Sequence, residues 1–375
     1  MNRTMGERVQ GRVSDWGIAT PPLSATGSII PSPGDEPVDR AEIIEPIYHT
    51  GPYTLGAGSF VYSRGFAYVF SSANSPEIAP FTNNGTIWSS VTSSNPLAFT
   101  YITIGKYGEL KDVTNNGLIV LESGPGLIGF TEAFANTNLD NTGSIFVISH
   151  GQNGARFLSS ASIFNNSGLV AVRADNAGAE GVSMTNGGLI HNAEGGSILV
   201  EGQSAIAITI GDGTIEYQNS RVTNDGLIEA NSIGDGPSIG IFAYHLYGTL
   251  ELVNSGTIRA DYAFVSDYGT TMPRAYVDSI LNEETGRIEG HVLLDRGNDI
   301  VINRGLIVGH VLMEEGDDLF DNSQGTLIGV ADMGWGADTF LGGQGDDRVA
   351  GGDGNDLLVG GGGQDLLMGG WGDDI

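Results

Sequence analysis

The sequence predicts an all-β chain: a right-handed parallel β-helix that continues, without a linker, into a tighter parallel coil at its C-terminus. Two internal repeats and one compositional bias carry this expectation. From Met333 the chain reads MGWGADTFL, GGQGDDRVA, GGDGNDLLV, GGGGQDLLM and GGWGDDI, which places Asp338, Asp347, Asp356, Asp365 and Asp374 at a strict interval of nine. Upstream, an Asn-rich turn, a Gly and an aliphatic residue recur as NNGTI at Asn83, NNGLI at Asn115, NTGSI at Asn141, NSGLV at Asn166, NGGLI at Asn186, NDGLI at Asn224, NSGTI at Asn254 and NRGLI at Asn303. Gly makes up 59 of 375 residues, about twice its usual share, and Gly, Asn, Ser and Thr crowd every window in which a helix would need Ala, Leu, Glu or Lys.

In chain order, residues 1–48 hold Pro21, Pro22, Pro31, Pro33, Pro37 and Pro46 with little periodicity, which predicts a flexible leader. Residues 49–289 are expected to form the β-helix, with the stretch from about 52 to 80 capping its open strand edge. The Asn-Gly rungs recur at intervals of about 20 to 38 residues, except for the last, which a variant NEETGRI at Asn282 divides; this is the size of stacked supersecondary units. Asn and Gly are expected to supply left-handed turns. Alternating aliphatics such as Ile198 and Val200, or Ile206, Ile208 and Ile210, read as short strands with one face inward. Irregular rung length favours a parallel β-helix, where insertions loop out from a corner; a β-sandwich is the alternative.

Residues 290–332 read as transitional coils. GHVLLDRGNDIVINRGLIV from Gly290 and GHVLMEEGDDLFDNSQGTLI from Gly309 are near copies, and Asp299, Asp318, Asp338, Asp356 and Asp374 fall into one column separated by 19, 20, 18 and 18 residues. The opposite turn is expected to change from the Asn-Gly type at Asp347. At Asp299 and Asp318 a metal-free structural turn is the favoured reading, with a weak metal site as the alternative.

The net charge of -29, from 45 acidic against 16 basic residues, argues against nucleic acid as a partner and for a need for cations. There is no cysteine, so thiolate metal sites and disulfides are excluded. No stretch approaches 18 apolar residues, so no membrane span is expected. The first residues, MNRTMGERVQGRVSDWG, lack the apolar run of a secretory signal peptide.

In residues 333–375 the glycines Gly334, Gly336, Gly343, Gly345, Gly352, Gly354, Gly361 and Gly363 permit turns that aim carbonyl oxygens inward, and each following Asp adds a carboxylate. Several carbonyls with one or two carboxylates suit Ca²⁺ rather than zinc or copper. After each Asp, Phe340, Val349, Leu358 or Leu367 points into a core from a brief strand, so two nine-residue units make one coil. A Gly-rich turn array without an ion is the alternative, but stacked carboxylates without a cation repel.

This pattern resembles the RTX (repeats-in-toxin, hemolysin-type) repeat, G-G-x-G-x-D-x-U-x with U a large apolar residue. Met333 departs from it at the first Gly, and the fifth copy stops at its seventh position. The resemblance implies a calcium-binding parallel β-roll with ions between turns one coil apart, pairing Asp338 with Asp356, Asp347 with Asp365 and Asp356 with Asp374. It also implies an extracellular protein leaving the cell by type I export, and the stop inside a repeat leads us to expect a fragment lacking its export signal. The upstream helix resembles stalks of bacterial surface proteins and of polysaccharide-acting enzymes.

Catalytic candidates are sparse. Tyr244, His245 and Tyr247, with Asp261, Tyr262 and Asp267 one rung later, hold general acid-base groups, yet they read more simply as aromatics on a strand face. His291 and His310, in identical Gly-His-Val-Leu contexts, should stack as duplicated scaffold, and His150 and His191 show no recognisable partner. The sequence therefore favours a secreted, calcium-stabilised structural or adhesive protein presenting loops to a glycan or cell-surface partner. A polysaccharide lyase or epimerase on the same scaffold is the alternative.

Overall fold

The computed structural model describes residues 47–48, 53–64, 68–71, 81–91, 103–104, 112–123, 130–132, 138–152, 154–157, 163–184, 188–211, 219–244, 248–266 and 276–375. Residues 1–46, where most of the leader was expected, lie outside them. All regular elements among the described residues are β-strands, and neighbouring strands pair in parallel.

One face is a row of thirteen strands, running from Tyr53–Leu55 through Ile163–Asn166 and Ser279–Asn282 to Leu357–Val359. Tyr53–Leu55 and Phe60–Arg64 pair in register with Phe81–Asn83 and Thr86–Val91, which makes this stretch the first described coil. Ile47–Tyr48, Tyr68–Ser71 and Thr103–Ile104 pair in a separate three-stranded sheet, and the remaining described strands join one twenty-stranded sheet in two rows. The first row, entered just after the Asn turn, stacks Ile87, Ile119, Ile145, Val170, Ile198, Ile228, Ile258, Ile288, Ile307 and Leu327 one above another. Like residues in a column bury each other, and β-branched side chains suit a pleated wall. All but Leu327, at 7 %, are fully buried.

Two sequence expectations need correction here. Ile206 is only partly buried and packs in a separate apolar cluster with Phe242, because the inward alternation of its strand breaks between Ala207 and Ile208, both of which are buried. The NGGLI rung at Asn186 is a second misreading. Asn186 lies outside the described residues, and Leu189–Asn192 is the strand before the turn, so the rung residue is Asn192.

The turn residues form a ladder. The side-chain amide of each Asn donates to the side-chain oxygen of the Asn one coil on, from Asn83 through Asn115, Asn141, Asn166, Asn192, Asn224, Asn254, Asn282 and Asn303 to Asn322, at 2.7 or 2.8 Å. All ten are buried. An amide suits this place because it both donates and accepts, so an endless column leaves no buried group unpaired. The Gly beside it is required for closeness of approach and not, as expected from the sequence, for a left-handed backbone. None of Gly85, Gly117, Gly143, Gly168, Gly226, Gly256 and Gly305 has a positive φ, whereas a Cβ on Gly117 would meet the carbonyl oxygen of Gly85 at 2.0 Å. Replacing Asn224 by Ala should orphan polar groups of Asn192 and Asn254 and cost about 1–3 kcal/mol, read as a lowered denaturant midpoint in excess calcium.

The cross-section changes near the C-terminus. Rungs of the ladder are separated by 25 to 32 residues between Asn83 and Asn282, then by 21 and 19. The first row of the large sheet ends at Thr326–Ile328. The second row continues from Ala331–Trp335 to Arg348–Asp353 and Leu366–Trp371, so the last coils have two strands each. A three-sided helix thus becomes a flat two-sided roll. At the step a cavity of about 250 Å³ opens between Thr326–Ile328 and Asp346–Arg348.

Candidate metal centre

The nine-residue units form turns stacked one coil apart, in two columns. On one side the backbone N–H of Asp338 donates to Oδ1 of Asp356 at 3.0 Å, and that of Asp356 to Oδ1 of Asp374 at 3.1 Å. On the other side the N–H of Asp347 donates to Oδ1 of Asp365 at 3.0 Å. These are the three pairs expected from the sequence.

The first column continues upward. The N–H of Asp318 reaches Oδ1 of Asp338 at 2.8 Å, that of Asp299 reaches Asp318 at 2.7 Å, and that of Asp278 reaches Asp299 at 2.6 Å. Asp299, Asp318, Asp338 and Asp356 are at most 2 % exposed, and the second carboxylate oxygen of each is buried with no hydrogen-bond partner among the described residues. A bare carboxylate oxygen in such a place needs either a proton or a cation. Accordingly, burial pushes the carboxyls of Asp299 and Asp318 up to about 8 and that of Asp338 up to about 7, with neighbouring carboxylates adding to the shift and backbone hydrogen bonds opposing it. Burial raises Asp356 and Asp347 as well.

The second column begins where the Asn ladder stops. Asn322 donates to Oδ1 of Asp347 at 3.3 Å, so this Asp takes over from the amides, as the expected change of turn type required. Its Oδ2 accepts the N–H of Gly343 at 3.3 Å. Both of its oxygens are thus engaged within the protein, unlike those of Asp356.

The two glycines that open each unit have different tasks. The first makes room for the carboxylate of its own turn: a Cβ on Gly351 would lie 2.3 Å from Oδ2 of Asp356, and equivalent contacts hold at Gly342, Gly360 and Gly369. The sequence reading missed these four, although the doubled Gly marks them. The second and fourth positions take left-handed backbone at Gly334, Gly336, Gly352, Gly354, Gly361 and Gly363, with φ from 85 to 146°. Gly343 and Gly345 do not, contrary to expectation, because their turn is fitted onto the Asn322 turn above it.

Among the described residues no three His, Asp or Glu side chains converge as a metal site would require. An ion between these turns would therefore draw most of its ligands from backbone carbonyls, with one carboxylate from each turn. That oxygen-only donor set fits Ca²⁺.

The remaining candidates serve the scaffold. His291 and His310 stack with ring centroids 5.0 Å apart, as expected. Nδ1 of His291 accepts the N–H of His310, and Nδ1 of His310 accepts that of Val330, which assigns the proton of each neutral ring to Nε2. Burial, helped by the neighbouring imidazole, holds His291 down to about 4, and burial also lowers His310. His150 and His191 do have partners. His150 bridges Asp175 at 2.7 Å and Glu122 at 2.9 Å, and His191 meets Asp225 at 3.0 Å. Burial works against the charged His150 ring, yet hydrogen bonds and charge from Asp175 and Glu122 outweigh it and raise its pKa. Of the acid-base candidates, Asp261 accepts the Ser238 hydroxyl at 2.8 Å, and Tyr262 packs against His291 with centroids 5.7 Å apart. Tyr244 lies at the surface, while His245, Tyr247 and Asp267 fall outside the described residues.

No curated protein and no solved structure matches this chain. Residues 334–367 and 341–375 match the RTX calcium-binding nonapeptide repeat (4 copies), so the C-terminal coils whose turns stack these carboxylates are RTX repeats, and calcium is their cofactor.

Proposed function

We propose that this chain is an extracellular structural or adhesive protein whose C-terminal coils are folded by calcium after export. In this reading the ions lie between Asp338 and Asp356, Asp347 and Asp365, and Asp356 and Asp374, with turn carbonyls from the units of Gly334, Gly336, Gly343, Gly345, Gly352, Gly354, Gly361 and Gly363 completing each shell. The observation that carries it is the column of buried carboxylates whose second oxygens have no donor among the described residues. Cytosolic calcium lies far below the roughly 0.1–1 mM affinity of extracellular calcium modules, so these coils stay open and threadable for type I export inside the cell and close outside it.

The upstream coils support a stalk-like role. They are repeated scaffold, with the Asn ladder and aliphatic columns running through ten rungs, and Asp261 and Tyr262 are committed to packing and hydrogen bonds. A glycan or cell-surface ligand is the partner such a stalk would present loops to.

Charge-neutral amides at two positions test the ion sites. Asp356 is shared by pairs above and below, whereas Asp347 pairs downward only and is already engaged by Asn322 and Gly343. Asp356→Asn should raise the calcium midpoint more than Asp347→Asn, measured by calorimetric titration. Equal midpoints would mean that ions do not lie between turns one coil apart. Incubation with uronate polymers, watching for new unsaturated ends, tests the non-enzymatic part; their appearance would replace it with a lyase.

A further inference from the structure

The match to RTX repeats begins at residue 334, yet the turn geometry begins two coils earlier. Five turns stack on one side: 294–299, 313–318, 333–338, 351–356 and 369–374. Two hydrogen bonds repeat between each adjacent pair. The N–H of the fourth residue donates to the carbonyl of the third residue one coil on, from Gly297 to Glu315 at 2.9 Å, Gly316 to Trp335 at 2.8 Å, Gly336 to Asp353 at 2.8 Å and Gly354 to Trp371 at 2.7 Å. The N–H of the sixth donates to the Asp carboxylate one coil on, at 2.7, 2.8, 3.0 and 3.1 Å. Neither bond changes character where the matched repeats start.

The upper two turns reach this geometry against their sequence. Leu294-Asp295-Arg296-Gly297-Asn298-Asp299 and Met313-Glu314-Glu315-Gly316-Asp317-Asp318 keep only the fourth Gly and the final Asp. Glu314 occupies the place of Gly334, Gly352 and Gly370, whose φ values are 101, 110 and 115°. It takes a φ of 71° and is the one non-Gly residue with positive φ among those described. Such backbone is unfavourable for a residue with a Cβ and persists where its surroundings impose it, commonly at ligand sites.

A purely structural turn would leave its buried groups satisfied, and one member of the column shows what that looks like. Asp278 accepts the N–H of Leu250 on one oxygen at 2.8 Å and the Ser266 hydroxyl on the other at 2.6 Å. Asp299 and Asp318, equally buried, use one oxygen for the Asp above and leave the other without a donor among the described residues. The column is closed at Asp278 and open from Asp299 downward.

We propose that Asp299 and Asp318 ligate two further calcium ions, one between turns 294–299 and 313–318 and one between turns 313–318 and 333–338. The sites lie upstream of the recognised repeats and reverse the metal-free reading that the sequence favoured for these turns. The inference rests on the proposal that stacked Asp turns hold calcium, and extends it into coils that also carry the Asn ladder through Asn303 and Asn322.

Native mass spectrometry of the full chain in calcium counts the ions directly. Five Asp-to-Asp links join stacked turns from Asp299 to Asp374, three of them within the matched repeats, so five ions are expected rather than three. Asp318→Asn, which belongs to two links, should lose two ions; Asp299→Asn should lose one and Asp278→Asn none, with circular dichroism confirming that each variant is folded. A wild-type count of three, whatever the variants do, overturns the upstream sites while leaving calcium in the repeats. No bound calcium at all would overturn both.

Discussion

Removing calcium is expected to melt residues 290–375 while the coils above them stay folded. The two regions bury different things. Coils from Asn83 to Asn282 stack three sides around aliphatic columns, and their buried turns are a ladder of amides that satisfy one another. The last coils have two strands, with Phe340 and Val349 fully buried but Leu367 already 36 % exposed, and their buried polar groups are carboxylates. Without a cation those carboxylates must be ionised in a dry environment or take up protons, and the small apolar core is poorly able to offset that penalty. In chelator at neutral pH, far-UV circular dichroism should lose part of its β signal. Trypsin should cut first at Arg296, Arg304 and Arg348, all beyond Gly290. Earlier loss of the middle region would show that the upper helix leans on the roll for its stability.

The calcium-free protein should also respond to pH in the direction opposite to the calcium-loaded one. Asp299, Asp318 and Asp338 titrate near 8, 8 and 7 in the folded chain against an ordinary 3.8. Between those values the folded state holds protons that the unfolded chain gives up, so stability is fullest in acid and falls as pH rises toward 8. His291 and His310 act in the other sense, but only below their ordinary 6.5, where the unfolded chain gains protons that the buried rings refuse. Within the tail, the window from pH 8 down to 6.5 therefore isolates the carboxylates. Across it the calcium-free tail should regain β signal on acidification. With calcium present the carboxylates must be ionised to bind, so acid should lower the thermal midpoint of the tail. The same sign in both conditions would mean that these carboxylates are not where calcium acts.

Much of this was legible in the sequence because a coil of constant length turns spacing into position. Asp299, Asp318, Asp338, Asp356 and Asp374 could be placed in one column from intervals of 19, 20, 18 and 18, and the hand-over from amides to Asp347 followed from the change of turn type. Where coil length varies, the same logic fails. His150 meets Glu122 and Asp175 at separations of 28 and 25 residues, and no periodicity announces either. Asn192 escaped because its turn, Asn192-Ala193-Glu194-Gly195-Gly196, carries two more residues than the Asn-x-Gly pattern, while a better local match stood at Asn186. The role of the rung glycines was misread for a different reason. Sequence shows that a Cβ is excluded, but whether backbone angle or a neighbouring coil excludes it is visible only in the stack, as at Gly117 beneath Gly85.

Hydrogen exchange at single amides separates turns held by calcium from turns that satisfy themselves. The N–H groups of Asp318, Asp338 and Asp356 each donate to a carboxylate one coil on, and their protection depends on that carboxylate being held in place. With calcium they should be protected as strongly as the N–H groups of Thr142 and Ser167, which donate to the carbonyls of Asn115 and Asn141 in the ladder coils. In chelator at pH 8 the three Asp amides should exchange at nearly unprotected rates while Thr142 and Ser167 keep their protection. Equal protection of the Asp amides with and without calcium would contradict the account.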